Sequence, residues 1–148
     1  MRTYLLLFVM VLALASPSAS LAGPGSSPLP RPTLTTGPSS YGRIVFDGRG
    51  FALYAFTRDP RAKSVCNGAC AKAWPPFVVK RPPRAAAGVK ATLLGTTKRA
   101  DGTLQVTYAG RPLYYYVGDR KPGQVLCQNV REFGGVWLVI RSTGALVR

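Results

Sequence analysis

The chain contains no histidine. That absence excludes a Ser-His-Asp triad, a histidine general base, haem attachment through C-x-x-C-H and a zinc site with an imidazole ligand. Acidic residues are nearly as scarce. Asp47, Asp59, Asp101, Asp119 and Glu132 are the only ones in 148 residues, too few for an oxygen-rich cage around a hard cation. No metal and no cofactor is expected. Long apolar runs are limited to Leu5–Ala15, whose 11 residues fall short of the ~20 that span a bilayer. No segment carries a sustained heptad or helical stripe. The 16 glycines and 13 prolines favour strands and turns over long helices. What remains for enzyme chemistry is an aspartate pair, a Ser-Lys dyad or a cysteine without histidine. Asp59 and Asp119 each have a simpler role in capping a turn, so the chain is read as non-catalytic.

Positive charge is abundant. Lys and Arg number 20 against 5 acids, a net charge of +15. Residues 1–22 read as a secretory signal: Arg2, then the apolar run, Pro17, and small residues ending Ser20-Leu21-Ala22 before Gly23. Loss of Arg2 with that leader lowers the net charge by one, to +14. No cysteine lies near the cleavage point, so lipid attachment through an N-terminal cysteine is not expected. The expected location is periplasmic or extracellular, with no transmembrane segment after processing. Residues 23–40, with five prolines, read as a flexible Pro/Gly/Ser-rich linker. The folded domain is expected over 41–142, with 143–148 a tail. Export permits disulfides. Cys66, Cys70 and Cys127 allow one pair and leave one thiol over; Cys66 and Cys70 are the closest in sequence.

Tyr41–Phe46 and Phe51–Thr57 flank Asp47-Gly48-Arg49-Gly50, a hairpin signal. Thr92–Lys98 and Thr103–Tyr108 flank Arg99-Ala100-Asp101-Gly102, a second one. Leu113–Val117 reads as an aromatic strand, Phe77–Lys80 as a short strand and Val136–Arg141 as the last. Cys66–Trp74 has the one stretch of helical character, stopped by Pro75-Pro76. The fold class is therefore mainly β, α+β with one short helix. The two halves are related. Gly50–Asp59 (GFALYAFTRD) lies over Gly110–Asp119 (GRPLYYYVGD) at a spacing of 60 residues, and Trp74 and Trp137 follow at similar distances. Strand geometry puts Tyr54 with Phe56, and Tyr114 with Tyr116, on one face. Two units are too few for a solenoid, so two pseudo-symmetric, hairpin-based halves should share one core.

Tyr54-Ala55-Phe56-Thr57-Arg58-Asp59 and Tyr114-Tyr115-Tyr116-Val117-Gly118-Asp119 carry a resemblance. They resemble the Y-x-[FWY]-x-x-D signature of the bacterial secreted repeat of unknown function, also described as predicted lipoproteins with that motif. Ser64–Ala71 leading to Trp74-Pro75-Pro76, Arg99–Gly102, Gln105–Tyr108 and Pro112-Leu113-Tyr114 match as well, over about residues 41–141. The resemblance implies an exported bacterial β-rich domain and supplies no activity. Similar proteins often carry a lipid anchor, which this sequence lacks the cysteine for. They usually have glycine where Cys127 stands, which makes Cys66–Cys70 the expected disulfide and Cys127 the unpaired thiol.

The candidate site residues are Tyr54, Phe56, Asp59, Trp74, Tyr108, Tyr114, Tyr116 and Asp119. Their rings could stack on a small ligand, or fill the core, with Asp59 and Asp119 accepting the tyrosine hydroxyls in a buried lock within each half. Cys66 and Cys70 could serve a periplasmic redox or electron-transfer accessory, although the βαβ setting of a thioredoxin-type motif is missing. The strong positive charge points to anionic envelope polymers or lipid headgroups as partners. No nucleic-acid-binding motif accompanies it, so specific nucleic-acid recognition is not expected. The leading reading is a monomeric, non-catalytic cell-envelope or secreted module, with Cys127 the one route to a disulfide-linked dimer.

Overall fold

A computed structural model describes residues 32–148. The leader read at 1–22 lies outside the described residues, as does the first part of the linker. The first half opens with an antiparallel hairpin. Strand β1 (Thr33–Gly37) pairs with β2 (Ile44–Asp47), with Leu34 opposite Asp47 and Gly37 opposite Ile44. The second half repeats this with β6 (Leu94–Lys98) and β7 (Leu104–Tyr108). Short strands extend these sheets. β4 (Val78–Val79) and β8 (Arg111–Pro112) both pair with β7, and β5 (Arg84–Ala85) runs parallel to β1.

The chain then crosses between halves. Strand β3 (Tyr54–Phe56) leaves its own hairpin and pairs with β10 (Gly135–Val139), near the end of the chain, which also holds β9 (Val130–Glu132). The equivalent segment of the second half returns the exchange. Tyr115 N donates to Pro75 O at 2.8 Å, Phe77 N to Leu113 O at 2.9 Å and Val117 N to Ala73 O at 3.2 Å. The two crossing segments meet at their centres. Tyr54 N donates to Tyr114 O, and Tyr114 N to Tyr54 O, each at 2.9 Å. An approximate two-fold axis passes between these two tyrosines.

The one α-helix among the described residues, α1 (Ala69–Ala73), sits inside the expected Cys66–Trp74 stretch. The first expected hairpin forms only next to its turn, where Asp47 N donates to Phe51 O at 2.9 Å, Phe46 bridges Ala52 and Leu53 N donates to Val45 O at 3.3 Å. Three expectations need correction. Leu113–Val117 is no continuous strand; Tyr114 makes isolated bridges to Tyr54 and Pro76. Its partner is Pro75-Pro76, and proline has no N–H to give a ladder. The linker read over 23–40 stops short of Thr33, because β1 is paired from Thr33 onward and Leu34 is fully buried. The tail read at 143–148 folds back: Val147 is buried and its N donates to Val139 O at 3.0 Å.

Alternation along β3 feeds two packed layers. Tyr54 and Phe56 face a cluster with Trp74, Tyr114, Trp137 and the two bonded cysteines. Leu53 and Ala55 face a second cluster with Leu34, Val45, Phe77, Val106, Tyr108, Leu113 and Ile140. The exchanged segments are thus buried on both sides, which is why one short strand can join the halves. Among the described residues no helix is long and apolar enough to cross a membrane.

The placement of β1 gives a direct test. Leu34→Ala leaves a cavity in the second cluster and should cost about 2–5 kcal/mol in urea unfolding. A change near zero would return Thr33–Gly37 to the linker.

Candidate functional site

The two motif tyrosines exchange carboxylates. Tyr54 Oη donates to Asp119 Oδ2 at 2.7 Å, and Tyr114 Oη donates to Asp59 Oδ2 at 2.6 Å. Each tyrosine therefore bonds the aspartate of the other half. The second oxygen of each aspartate closes its own loop: Asp59 Oδ1 accepts Val65 N at 2.8 Å, and Asp119 Oδ1 accepts Leu126 N at 3.0 Å. The tyrosine–aspartate lock expected within each half runs between the repeats instead. Burial pushes both carboxyls above the usual aspartate range, while the bonds from tyrosine and backbone favour the ionised form. Burial, then the adjacent carboxylate, pushes the Tyr54 and Tyr114 hydroxyls well up, so both remain protonated donors.

Beside the lock lies a four-ring stack. Phe56, Trp137, Trp74 and Tyr116 follow one another with centroid separations of 4.3, 4.0 and 4.8 Å. The two indoles are parallel to within 2°. Phe56 and Tyr116 are repeat equivalents, as are the tryptophans, so the row follows the two-fold relation, with Phe56 within 9° of parallel to Trp137 and Tyr116 tilted by 39° on Trp74. Tyr54 meets Trp74 edge-on at 5.2 Å and Tyr114 meets Trp137 edge-on at 5.1 Å. Such pairs add about 0.5–1.5 kcal/mol each beyond area burial. Tyr54, Trp74, Tyr114 and Trp137 are fully buried and Phe56 nearly so. These rings fill the core and offer no open stacking face. Only Tyr116, at the edge of the stack, is half-buried. Tyr108 is not part of this group. It lies in the other cluster, donates to Ser142 O at 2.7 Å and accepts Lys90 N at 2.9 Å.

The halves differ around the loops the aspartates close. Cys66 and Cys70 form the expected disulfide, and Cys127 is free. Arg99 is buried against the disulfide loop. Its terminal nitrogens donate to Gln105 Oε1 and Ser64 Oγ at 2.7 Å each, to Cys66 O at 2.8 Å and to Asn67 Oδ1 at 3.1 Å. In the second half Gln128 takes a related place. Its Nε2 donates to Val147 O and its Oε1 accepts Val139 N, each at 2.7 Å. Cys127 packs with Tyr116 against the first cluster, and burial pushes the thiol pKa up. A raised thiol pKa lowers the thiolate fraction, so Cys127 is a poor nucleophile at neutral pH. Trp74 Nε1 donates to Glu132 Oε2 at 2.8 Å, whereas Trp137 Nε1 has no protein partner. Among the described residues no group of three His, Cys, Asp or Glu is placed to hold a metal ion.

Sequence reasoning missed a third arrangement, at Asp47. This buried carboxylate accepts Arg49 N and Phe51 N on Oδ1, each at 2.9 Å, and Arg49 Nε at 2.9 Å and Tyr115 Oη at 3.1 Å on Oδ2. The turn was legible from Asp47-Gly48-Arg49-Gly50. Tyr115, 68 residues away, could not be placed beside it by local pattern.

Comparison with known proteins agrees with this geometry. The family model of a secreted repeat of unknown function matches twice, at residues 35–78 and 95–141, together more than half of the chain. Each match holds one hairpin and one aromatic segment. No curated protein and no solved structure matches.

The crossed pairing predicts a specific coupling. In double-mutant cycles, Tyr54→Phe with Asp119→Ala should couple by about 0.5–3 kcal/mol. Tyr54→Phe with Asp59→Ala should couple by far less. The reverse order would place each lock within its own repeat.

Proposed function

The chain belongs to the family described as a secreted repeat of unknown function, and on that premise we propose that it is an exported, non-catalytic module that attaches to anionic polymers of the cell envelope through its positive surface. The observation that supports this reading is the placement of the acids. Asp47 and Asp119 are buried and Asp59 is half-buried, each bonded to tyrosine and backbone. Asp101 and Glu132 are the two acids that remain exposed among the described residues. Every lysine and arginine there except Arg99 and Arg111 is exposed. The fold thus withdraws negative charge from a surface that was already strongly positive, which raises its attraction for polyanions.

The burial of Tyr54, Phe56, Trp74 and Tyr114 weighs against a ligand stacked on the motif rings. The module acts as a monomer in the periplasm or outside the cell, delivered by the leader read at 1–22. Cys127 remains a half-buried free thiol.

Retention on immobilised polygalacturonate, beside neutral dextran and anionic lipid vesicles, checks the proposal. It should be strong at low salt and fall steeply as the Debye length shrinks from about 10 Å at 0.1 M to about 3 Å at 1 M. Absence of retention at low salt, or retention indifferent to salt, contradicts it. Retention on vesicles alone would move the partner from polymer to lipid.

A further inference from the structure

A groove of about 590 Å³ opens beside the Asp47 turn. Pro32, Pro76, Phe77, Val78 and Tyr115 form its walls, and Asp47 and Arg49 lie at its head. The four donors already on Asp47 fill the acceptor sites of a carboxylate. Asp47 can take no donor from a ligand; it is a post that holds two other groups. One is the Tyr115 hydroxyl. The other is Arg49, anchored through its Nε at 2.9 Å while its side chain is 71% exposed. The guanidinium carbon lies 5.2 Å from the Phe51 ring centre and 5.8 Å from that of Tyr115. Fixed at Nε and beside both rings, the guanidinium fork lines the groove. Such a fork matches a planar carboxylate with two parallel bonds.

The arrangement has no counterpart in the other half. Under the two-fold relation of the halves, Asp47, Arg49 and Tyr115 correspond to Thr107, Ala109 and Ala55. The second half closes the equivalent turn with none of the three groups. Asp47 caps its own turn, and what folding leaves unexplained is the exposed Arg49 fork.

We propose that the Arg49–Tyr115 groove is a carbohydrate subsite that takes one uronic acid unit of an acidic polysaccharide, the carboxylate on the Arg49 fork and the sugar ring along Tyr115 and the proline walls. This rests on the reading of the chain as a binder of anionic polymers and names the unit it recognises. The walls argue for a ring: a bare phosphate would use the fork and leave them empty. The fork argues for an acid: a neutral sugar would use the walls and leave the guanidinium unpaired. Charge favours the same occupant, since a polyanion is drawn to a chain of net charge +15.

Calorimetric titration of the folded chain with trigalacturonate, with maltotriose and inorganic phosphate as controls, tests the assignment. Arg49→Gln should weaken trigalacturonate binding about tenfold or more, a loss of about 1.4 kcal/mol. Arg49→Lys, which keeps the charge and loses the fork, should weaken it nearly as much. Arg120→Gln, an equal loss of charge on another exposed loop, should change it less than about twofold. Equal losses for Arg49→Gln and Arg120→Gln would reduce the binding to diffuse charge and overturn the subsite, leaving polymer attachment standing. Wild-type affinity in Arg49→Lys, or phosphate or maltotriose binding as tightly as trigalacturonate, would also overturn it. If the wild type is not retained on polygalacturonate at low salt, the broader reading fails first.

Discussion

Two hydroxyl-to-carboxylate hydrogen bonds, Tyr54 to Asp119 and Tyr114 to Asp59, hold the halves of this protein to each other. Their geometry sets what surrounds them. Each tyrosine must reach across the two-fold axis, so the backbones of Tyr54 and Tyr114 pair directly. Each aspartate must face inward, so the loop it closes lies over the core. The rings that follow, Phe56 and Tyr116, are then delivered onto the tryptophan of the opposite half. A buried tyrosine hydroxyl needs an acceptor, and a buried carboxylate needs donors; leaving either unmade costs about 1–3 kcal/mol or more. The crossed pairs meet both needs at once and leave neither half complete alone.

The same constraint shapes the surface. A chain with five acids uses three of them, Asp47, Asp59 and Asp119, as internal acceptors. Structural demand and surface charge are therefore one property here: the residues that organise the turns are the ones that would otherwise have moderated the positive field. Departures from symmetry stand out against this frame. The disulfide loop is clamped by Arg99, and the Cys127 loop by Gln128 and the end of the chain. These two solutions close equivalent loops, so they read as local folding differences. The Asp47–Arg49–Tyr115 arrangement has no counterpart and closes nothing that the other half cannot close without it.

Much of this was legible in the sequence, for identifiable reasons. Thr92–Lys98 and Thr103–Tyr108 alternate around an Asp-Gly turn, and they form the clearest hairpin. The repeat at 60 residues exposed the two halves and paired Tyr54 with Tyr114, Asp59 with Asp119 and Trp74 with Trp137. It could not show that partners are exchanged, because a repeat reports equivalence and carries no record of contact. Thr33–Gly37 read as linker because prolines and serines surround it, although Leu34 and Thr36 supply an inward face. The prolines at 75 and 76 were read as a helix stop, and their second effect, depriving Leu113–Val117 of a ladder, depends on a contact between halves. Arg99, near the tip of a hairpin, gave no sign that it would be buried.

The central claim is that the two halves form one cooperative unit joined at Tyr54 and Tyr114. Native-state hydrogen exchange at those two backbone amides tests it most directly. If the account holds, both exchange only through global unfolding, with one shared free energy equal to that from denaturant. Exchange of either amide at a distinctly lower free energy, while the other half stays protected, would show two separable halves and contradict it.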